Sequence, residues 1–128
     1  MSKQAIATDK APGAIGPYSQ GTTVGDLVFT SGQLPIDPAT GQMPEDVKEQ
    51  ARVALANVEA VLVAGGSSLG KALKLTVFLQ NIGDFAAVNE VYAEVFADHQ
   101  PYPARSAVEV AKLPKPGALV EIEAIGCK

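Results

Sequence analysis

The chain has 128 residues with a formal net charge of −4, and 47% of its side chains are apolar. This length and composition predict a single domain over residues 1–128 that buries a continuous core. The acidic balance and the scattered lysines argue against a nucleic-acid partner, and no apolar run approaches the roughly 20 residues of a membrane helix, so no membrane insertion is expected.

The cysteine and histidine content narrows the chemistry further. Cys127 is the only cysteine and His99 the only histidine, so we expect no internal disulfide, no zinc site and no Cys–His nucleophile pair. We expect Cys127 at a mobile end and His99 as a solvated side chain. The first nine residues lack the apolar segment of a signal peptide. A cytoplasmic, reducing location and metal-free chemistry are the resulting expectations.

The first third of the chain predicts an exposed loop and a hairpin. Residues 11–17 contain two prolines and two glycines and cannot form a helix, so Tyr18 is expected on a surface loop. Two β-rich runs follow at 19–24 and 27–32. The Gly25-Asp26 pair between them predicts a tight hairpin turn, because glycine allows a positive φ.

An amphipathic helix is predicted to begin after Asp46. Its apolar side chains recur at three- and four-residue steps: Val47, Ala51, Ala54, Leu55, Val58, Val61 and Leu62. Asp46 with Glu49 three residues later is typical of a capping box, and Gly65-Gly66 predicts the end of the helix.

The segment 65–71 also has the spacing of a phosphate-binding loop. Ala72 stands where the motif needs a hydroxyl group, and the motif requires a strand before it and a helix after it. Here a helix precedes and a strand follows. We therefore expect a helix end and a turn rather than a nucleotide site.

The second half of the chain predicts a strand, a helix and two further strands. Residues 73–79 alternate, with Leu73, Leu75, Val77 and Leu79 on one side. Asp84 is expected to cap a second helix, which the prolines at 101 and 103 prevent from continuing. Its apolar face contains Phe85, Val88, Val91, Tyr92, Val95 and Phe96. Strands over 105–110 and 118–126 close the chain.

The order ββ(β)-α-β-α-ββ predicts an α+β fold, with a single sheet of five to six strands and two helices on one face. The other face is not polar enough for water, since both sides of the last strand carry apolar residues and Ala107 lies in the strand before it. A half-apolar, uncovered sheet face predicts association with other subunits. A long loop folded across that face is the alternative.

Arg105 is the candidate binding residue. It opens a strand beside the small Ala107, and a guanidinium group suits a planar carboxylate because it donates two parallel hydrogen bonds. An ion pair of Arg105 with Glu109 or Glu123 is the alternative. The residues alone do not decide between a ligand site and an internal pair.

Five segments resemble one known family. The run PARSAVEVAKLP at 103–114, followed by VEIEA at 120–124, resembles the signature of the reactive intermediate (imine/enamine) deaminase family, most closely its RidA branch. The other segments agree and follow the family's order: AIGPYSQG at 14–21, TSGQLP at 30–35 and DFAAVN at 84–89. The resemblance spans the whole chain.

The resemblance implies a chorismate-mutase-like mixed sheet and a homotrimer, with active sites in the clefts between subunits. It implies hydrolysis of 2-aminoacrylate, 2-aminocrotonate and their imine tautomers to 2-keto acids and ammonia, without a cofactor. Such substrates are by-products of pyridoxal-phosphate enzymes such as threonine or serine dehydratase.

The resemblance also assigns roles by position. Arg105 corresponds to the carboxylate-binding arginine of the family, and Glu121 to the glutamate that activates or positions water. The residues that correspond to the cleft lining are Tyr18, Ser31, Gly32 and Asn89, with Tyr18 expected to order water or close the site. Ala107 stands where many RidA members have cysteine, so no thiol acts there, although its backbone could still contact the substrate.

Two other functions fit the same residues. A small-carboxylate-binding regulatory oligomer would use Arg105 without turnover, whereas the presence of Glu121 favours the hydrolase. A chorismate-mutase-like enzyme would need several cations for a dianionic substrate, and Arg105 is too solitary for that. Fold alone does not decide among them.

Overall fold

The computed structural model describes all 128 residues and contains six strands and two α-helices. In chain order these are β1 Gln4–Ile6, β2 Gly21–Val24, β3 Leu27–Thr30, α1 Val47–Ala64, β4 Ala72–Leu79, α2 Phe85–Val95, β5 Ala104–Glu109 and β6 Val120–Cys127. The strands form one sheet in the order β1-β2-β3-β6-β4-β5, in which only β4 and β5 are parallel. The predicted α+β fold with one mixed sheet is confirmed.

The β2–β3 hairpin forms where the sequence predicts it. Gly25 has a φ of +55° in the two-residue turn. The paired strands end earlier than predicted, at the Gly21–Thr30 pair. One more backbone bond joins Ser31 N–H to Gln20 O, and the side chains of Gln20 and Ser31 bind the loop that precedes β2. Strand β1 was not specifically predicted. It has three residues and one buried side chain, too few to produce a readable alternation.

Helix α1 follows its predicted boundaries. Asp46 Oδ2 accepts a hydrogen bond from the backbone N–H of Glu49 at 3.1 Å, so the N-cap is confirmed. The carboxylate of Glu49 pairs with Arg52 instead of returning to Asp46, so only one half of the capping box forms. Gly66 has a φ of +94°, a conformation that ends the helix at the predicted glycine pair.

Three local predictions are wrong. Asp84 makes no side-chain cap, because it belongs to a short 3₁₀ turn before α2. Leu73 is 48% exposed, because a bulge between Ala72 and Lys74 removes it from the alternation of β4. Cys127 is the last residue of β6 and pairs with Leu27 of β3, so it does not lie at a mobile end.

The helices cover one face of the sheet, and every second residue along each strand points to that covered face. The buried sheet residues on the helix side are Leu75, Val77, Leu79, Val120, Ile122 and Ala124. The register pairs Leu75 with Arg105 and Val77 with Ala107, so both β5 residues also point to the helix side. Ala107, expected on the uncovered face, instead packs against the core.

The opposite face of the sheet is covered by no helix. It carries half-buried and exposed side chains, among them Phe29, Phe78, Val108, Glu121 and Ile125. The prediction of a half-apolar, uncovered face is confirmed within the chain. Neither α1 nor α2 combines the length and the apolar composition that crossing a membrane requires.

Candidate active site

Arg105 lies near the start of β5, the edge strand next to β4, and its side chain points toward α2. Its Cζ atom is 4.8 Å from the ring centroid of Tyr92 and 5.4 Å from that of Phe85, within the range of cation–π contacts. Its Nη1 donates a hydrogen bond to Asn89 Oδ1 at 2.7 Å. Three side chains of one helix therefore hold one guanidinium group.

No carboxylate pairs with Arg105. The ion pairs of the chain are made by Lys48 and Arg52. Glu109 Oε1 accepts a hydrogen bond from the backbone N–H of Ile82 at 2.9 Å, and Glu123 belongs to the uncovered face. The alternative of an ion pair with Arg105 is therefore wrong within this chain, and the charge of Arg105 is free for an anionic ligand.

A pocket of about 400 Å³ opens beside this guanidinium group and is called the Arg105 pocket below. Its lining residues are Asn89, Tyr92, Ala93, Tyr102, Pro103 and Arg105. Tyr92 is 5% exposed. Burial, opposed in part by the charge of Arg105, raises the pKa of the Tyr92 hydroxyl to about 12. Tyr92 is therefore neutral at physiological pH and acts on Arg105 through its ring.

A second pocket, of about 640 Å³, contains Glu121 and is called the Glu121 pocket. Tyr18, Ser31 and Gly32 line it as well. Glu121 is half-buried, and burial, followed by the nearby charge of Glu123, raises the pKa of its carboxyl group. A Cβ atom at position 32 would lie 2.1 Å from Glu121 Oε1, so glycine is needed there for this position of the carboxyl group.

Part-buried hydrogen bonds hold the loop that carries Tyr18. Gln20 is 6% exposed; its Nε2 donates to the carbonyl oxygen of Thr8 at 2.9 Å, and its Oε1 accepts from the backbone N–H of Thr8 at 2.7 Å. Ser31 Oγ donates to the carbonyl oxygen of Ser19 at 2.6 Å. These bonds fix the backbone immediately after Tyr18, whose own side chain is 53% exposed.

The two pockets lie on opposite faces of the sheet. In β6 the residues flanking Glu121 are buried under the helices, so Glu121 points to the uncovered face, whereas Arg105 points to α2. Six of the predicted site residues therefore fall into two groups, and Ala107, also predicted to contact the substrate, lines neither pocket. Tyr18, Ser31, Gly32 and Glu121 share the Glu121 pocket, and Asn89 and Arg105 share the Arg105 pocket. A single chain does not bring Arg105 and Glu121 together.

Several residues that line these pockets or contact Arg105 were not predicted as functional. Tyr92 was assigned to the core, which it joins while also contacting Arg105, and Phe85 was assigned to the same apolar face. The sequence gives Gln20 no role beyond its place in the segment 14–21, and it gives no functional signal for Lys115, which lines the Glu121 pocket. Phe85, Asn89 and Tyr92 are spaced so that they lie on one face of a helix. This spacing is the signal that could have indicated a shared contact with Arg105.

The remaining candidates lie outside both pockets. His99 packs its ring edge against Phe96, with the centroids 6.3 Å apart, and Cys127 Sγ is 3.6 Å from the carbonyl oxygen of Lys71. No three His, Cys, Asp or Glu side chains come together in a set that could hold a metal ion.

Comparison with known proteins identifies the family. The sequence profile of the family described as endoribonuclease L-PSP matches residues 8–127. The chain belongs to this family. The chain is 52% identical to the 2-iminobutanoate/2-iminopropanoate deaminase of Salmonella typhimurium. The match covers the whole of this chain and 99% of the Salmonella protein. TdcF of Escherichia coli K12 is 54% identical over 98% of both chains. The resemblance to the reactive intermediate deaminases is thereby confirmed.

Solved structures show the same fold. The crystal structure of E. coli TdcF with bound serine has a TM-score of 0.93 and 53% identity, covering 98% of each chain. RidA from an Antarctic Psychrobacter has a TM-score of 0.91 and 47% identity, covering 98% of this chain and 99% of its own. At these identities the likeness extends to sequence as well as fold.

Proposed function

We propose that the protein hydrolyses 2-aminoacrylate, 2-aminocrotonate and their imine tautomers to 2-keto acids and ammonia. The observation that carries the proposal is the pair of groups that the chain leaves without a charged partner: the Arg105 guanidinium and the half-buried Glu121 carboxyl. One suits the carboxylate of a 2-imino acid and the other suits proton transfer. Relatives named as imine deaminases, 50% and 52% identical over the full chain, support the same activity.

We further propose that the active site forms between subunits of a homotrimer. The Arg105 pocket of one chain would face the Glu121 pocket of a neighbour, which supplies Tyr18, Ser31 and Gly32. The separation of the two pockets by the sheet supports this arrangement, as does the half-apolar face that no helix covers.

In this arrangement Arg105 binds the substrate carboxylate through its free N–H donors, a contact of the charge-assisted, bidentate kind. Asn89 orients the guanidinium group, and Tyr18 orders the attacking water. Ser31, Gly32 and the backbone at Ala107 complete the substrate pocket. The step uses no thiol, so the alanine at position 107 is compatible with the chemistry.

Water adds to C2 of the imine, whose carbon is already electrophilic, and no cofactor is required. Glu121 accepts a proton from the water and returns one to the nitrogen, which gives a 2-amino-2-hydroxy acid. Glu121 then takes the proton of the new hydroxyl group and protonates the nitrogen again, so that the C–N bond breaks and ammonia leaves. One water is consumed and one 2-keto acid is formed. A carboxyl group with a raised pKa suits both halves of this proton relay.

Two alternatives to the hydrolase have distinct signatures. A carboxylate-binding regulatory oligomer would use the same pockets without turnover, and the serine in the E. coli TdcF crystal structure shows a small amino acid bound by that relative. The family description also names RNA cleavage, but a net charge of −4 opposes binding to the RNA phosphate backbone. The cytoplasm, where pyridoxal-phosphate dehydratases generate such imines, is the proposed location.

The decisive experiment generates 2-aminoacrylate in situ with a serine dehydratase and follows pyruvate release in excess of the spontaneous rate. The wild-type protein is expected to accelerate release, and Arg105→Ala to abolish the acceleration. Glu121→Gln is expected to lower kcat by about 10²–10⁴-fold while still binding 2-oxobutanoate in a calorimeter. Both variants should keep the wild-type mass in solution.

The same experiment separates the alternatives. Binding of 2-oxobutanoate without any acceleration by the wild-type protein would favour the regulatory oligomer. Unchanged turnover by Glu121→Gln would remove Glu121 from the mechanism. An Arg105→Ala chain that fails to fold would show instead that the arginine is structural.

A further inference from the structure

The three side chains that contact Arg105 form a single line on α2. Phe85, Asn89 and Tyr92 occupy positions i, i+4 and i+7, which lie on one face of an α-helix. We call this line the α2 stripe. Its two aromatic members lie 5.4 and 4.8 Å from the Arg105 Cζ atom, and its amide accepts a hydrogen bond from the same side chain.

Phe85 is the member of the α2 stripe whose position needs an explanation. Its side chain is 37% exposed at the first residue of α2, and it does not belong to the hydrophobic core. Tyr92, by contrast, is buried and packs on Phe96 with centroids 4.6 Å apart, so a structural role accounts for it. The charge of Arg105 is the contact that accounts for an aromatic ring at position 85.

The α2 stripe restrains Arg105 without occupying its donors. A cation–π contact uses the charge of the guanidinium group rather than its N–H bonds, and Asn89 takes one N–H. The other donors of the five that arginine has remain available to a ligand. A side chain that is ordered before binding loses less conformational entropy when the ligand arrives.

We propose that Phe85 is a positioning residue for the substrate carboxylate. With Asn89 and Tyr92, it fixes the Arg105 guanidinium in the orientation that receives a 2-imino acid. This inference rests on the proposed function, since it assigns Arg105 to the carboxylate. It adds that recognition of the acid depends on an aromatic ring that does not itself touch the substrate.

The test compares Phe85→Leu, which keeps an apolar side chain but removes the ring, with Phe85→Tyr, which keeps the ring. Phe85→Leu is expected to raise the KM for 2-aminoacrylate and the dissociation constant of 2-oxobutanoate about 3- to 10-fold. The kcat should stay within about twofold, because the carboxylate contact is equally strong in the ground state and the transition state. Phe85→Tyr should restore both constants.

Ile82→Ala is the matched control for Phe85→Leu. Ile82→Ala removes another exposed apolar side chain next to α2, 49% exposed, and is expected to change neither constant. An equal rise in Ile82→Ala would overturn the proposal, as would wild-type constants in Phe85→Leu or a fall in kcat alone.

Arg105→Ala distinguishes this failure from failure of the proposed function. If Arg105→Ala loses binding of 2-oxobutanoate while Phe85→Leu keeps it, only the role of Phe85 is wrong. If Arg105→Ala binds 2-oxobutanoate with wild-type affinity, the carboxylate site is wrong and the role of Phe85 falls with it.

Discussion

Glu121 owes its raised pKa to two neighbouring features of β6. The larger is burial on the uncovered face, and the smaller is the like charge of Glu123, two residues along the same side of the strand. Because the carboxylate form must accept a proton from water, the pH at which Glu121 ionises sets the acid limb of the kcat/KM profile.

Glu123→Gln is therefore expected to move that acid limb to lower pH. Removing a nearby negative charge favours the ionised form of Glu121, so its pKa falls and activity persists further into acid. The measurement is the pH profile of kcat/KM, corrected for spontaneous hydrolysis at each pH. Glu59→Gln, an exposed position on α1, is the matched control. A limb that stays in place or moves to higher pH would contradict the prediction.

At the residue scale, the sequence identified Arg105 and Glu121 but not what surrounds them. Arg105 was singled out by its scarcity and its strand position. Its contacts with Phe85 and Tyr92 depend on α2 crossing from β4 to β5, a placement that no local pattern encodes. The side-chain spacing on α2 predicted a buried apolar face, which is correct for Tyr92 and incomplete for Phe85.

Gln20 makes most of the side-chain hydrogen bonds that attach the loop carrying Tyr18, and Ser31 makes one more. Gln20 bonds Thr8 through both its amide nitrogen and its amide oxygen, and its nitrogen also donates to the carbonyl oxygens of Ala11 and Pro12 at 3.2 and 2.8 Å. A buried glutamine therefore holds this loop, together with Ala11, which is buried in the hydrophobic core.

Gln20→Ala is expected to lower the free energy of unfolding by about 1–3 kcal/mol, because it leaves one buried and several part-buried backbone groups without partners. Turnover should fall as well, since Tyr18 loses its fixed position. Urea denaturation and the pyruvate assay measure the two effects. Gln42→Ala, at an exposed glutamine, should change neither, and an unchanged unfolding midpoint in Gln20→Ala would refute the argument.

Elements whose boundaries depend on local chemistry were predicted well. Asp46, Gly25 and the glycine pair at 65–66 each act within a few residues of their own position, and all three predictions are confirmed. The prediction that Leu73 belongs to the alternation of β4 was wrong because a β-bulge is a property of two paired strands, not of one. The prediction that Asp84 caps α2 was wrong because a 3₁₀ turn replaces the expected start of that helix.

The uncovered sheet face determines how whole molecules would meet. Val108 is 43% exposed on this face. It lies in the edge strand that also carries Arg105, but its side chain points the other way. The sequence predicted association from the apolar content of the strands. It could not predict that Arg105 and Glu121 lie on opposite faces, because that depends on the long-range register of β5 with β4 and of β4 with β6.

Val108→Asp is expected to reduce both the mass in solution and the turnover of 2-aminoacrylate, the latter by at least about tenfold. A buried carboxylate in an apolar interface is unfavourable, whereas the isolated chain should tolerate it at an exposed site. Light scattering and the pyruvate assay are the measurements. Val63→Asp, at a 57% exposed position on α1, is the control, and wild-type mass in Val108→Asp would exclude this face as the interface.

The sheet that separates Arg105 from Glu121 also bears on how activity would grow with expression. On the proposed arrangement, a newly synthesised chain carries two incomplete catalytic halves and is inert until it encounters another copy. Output at low abundance would then rise more steeply than in proportion to copy number, and a cell that halved its supply of this protein would lose more than half of its protection against reactive enamines.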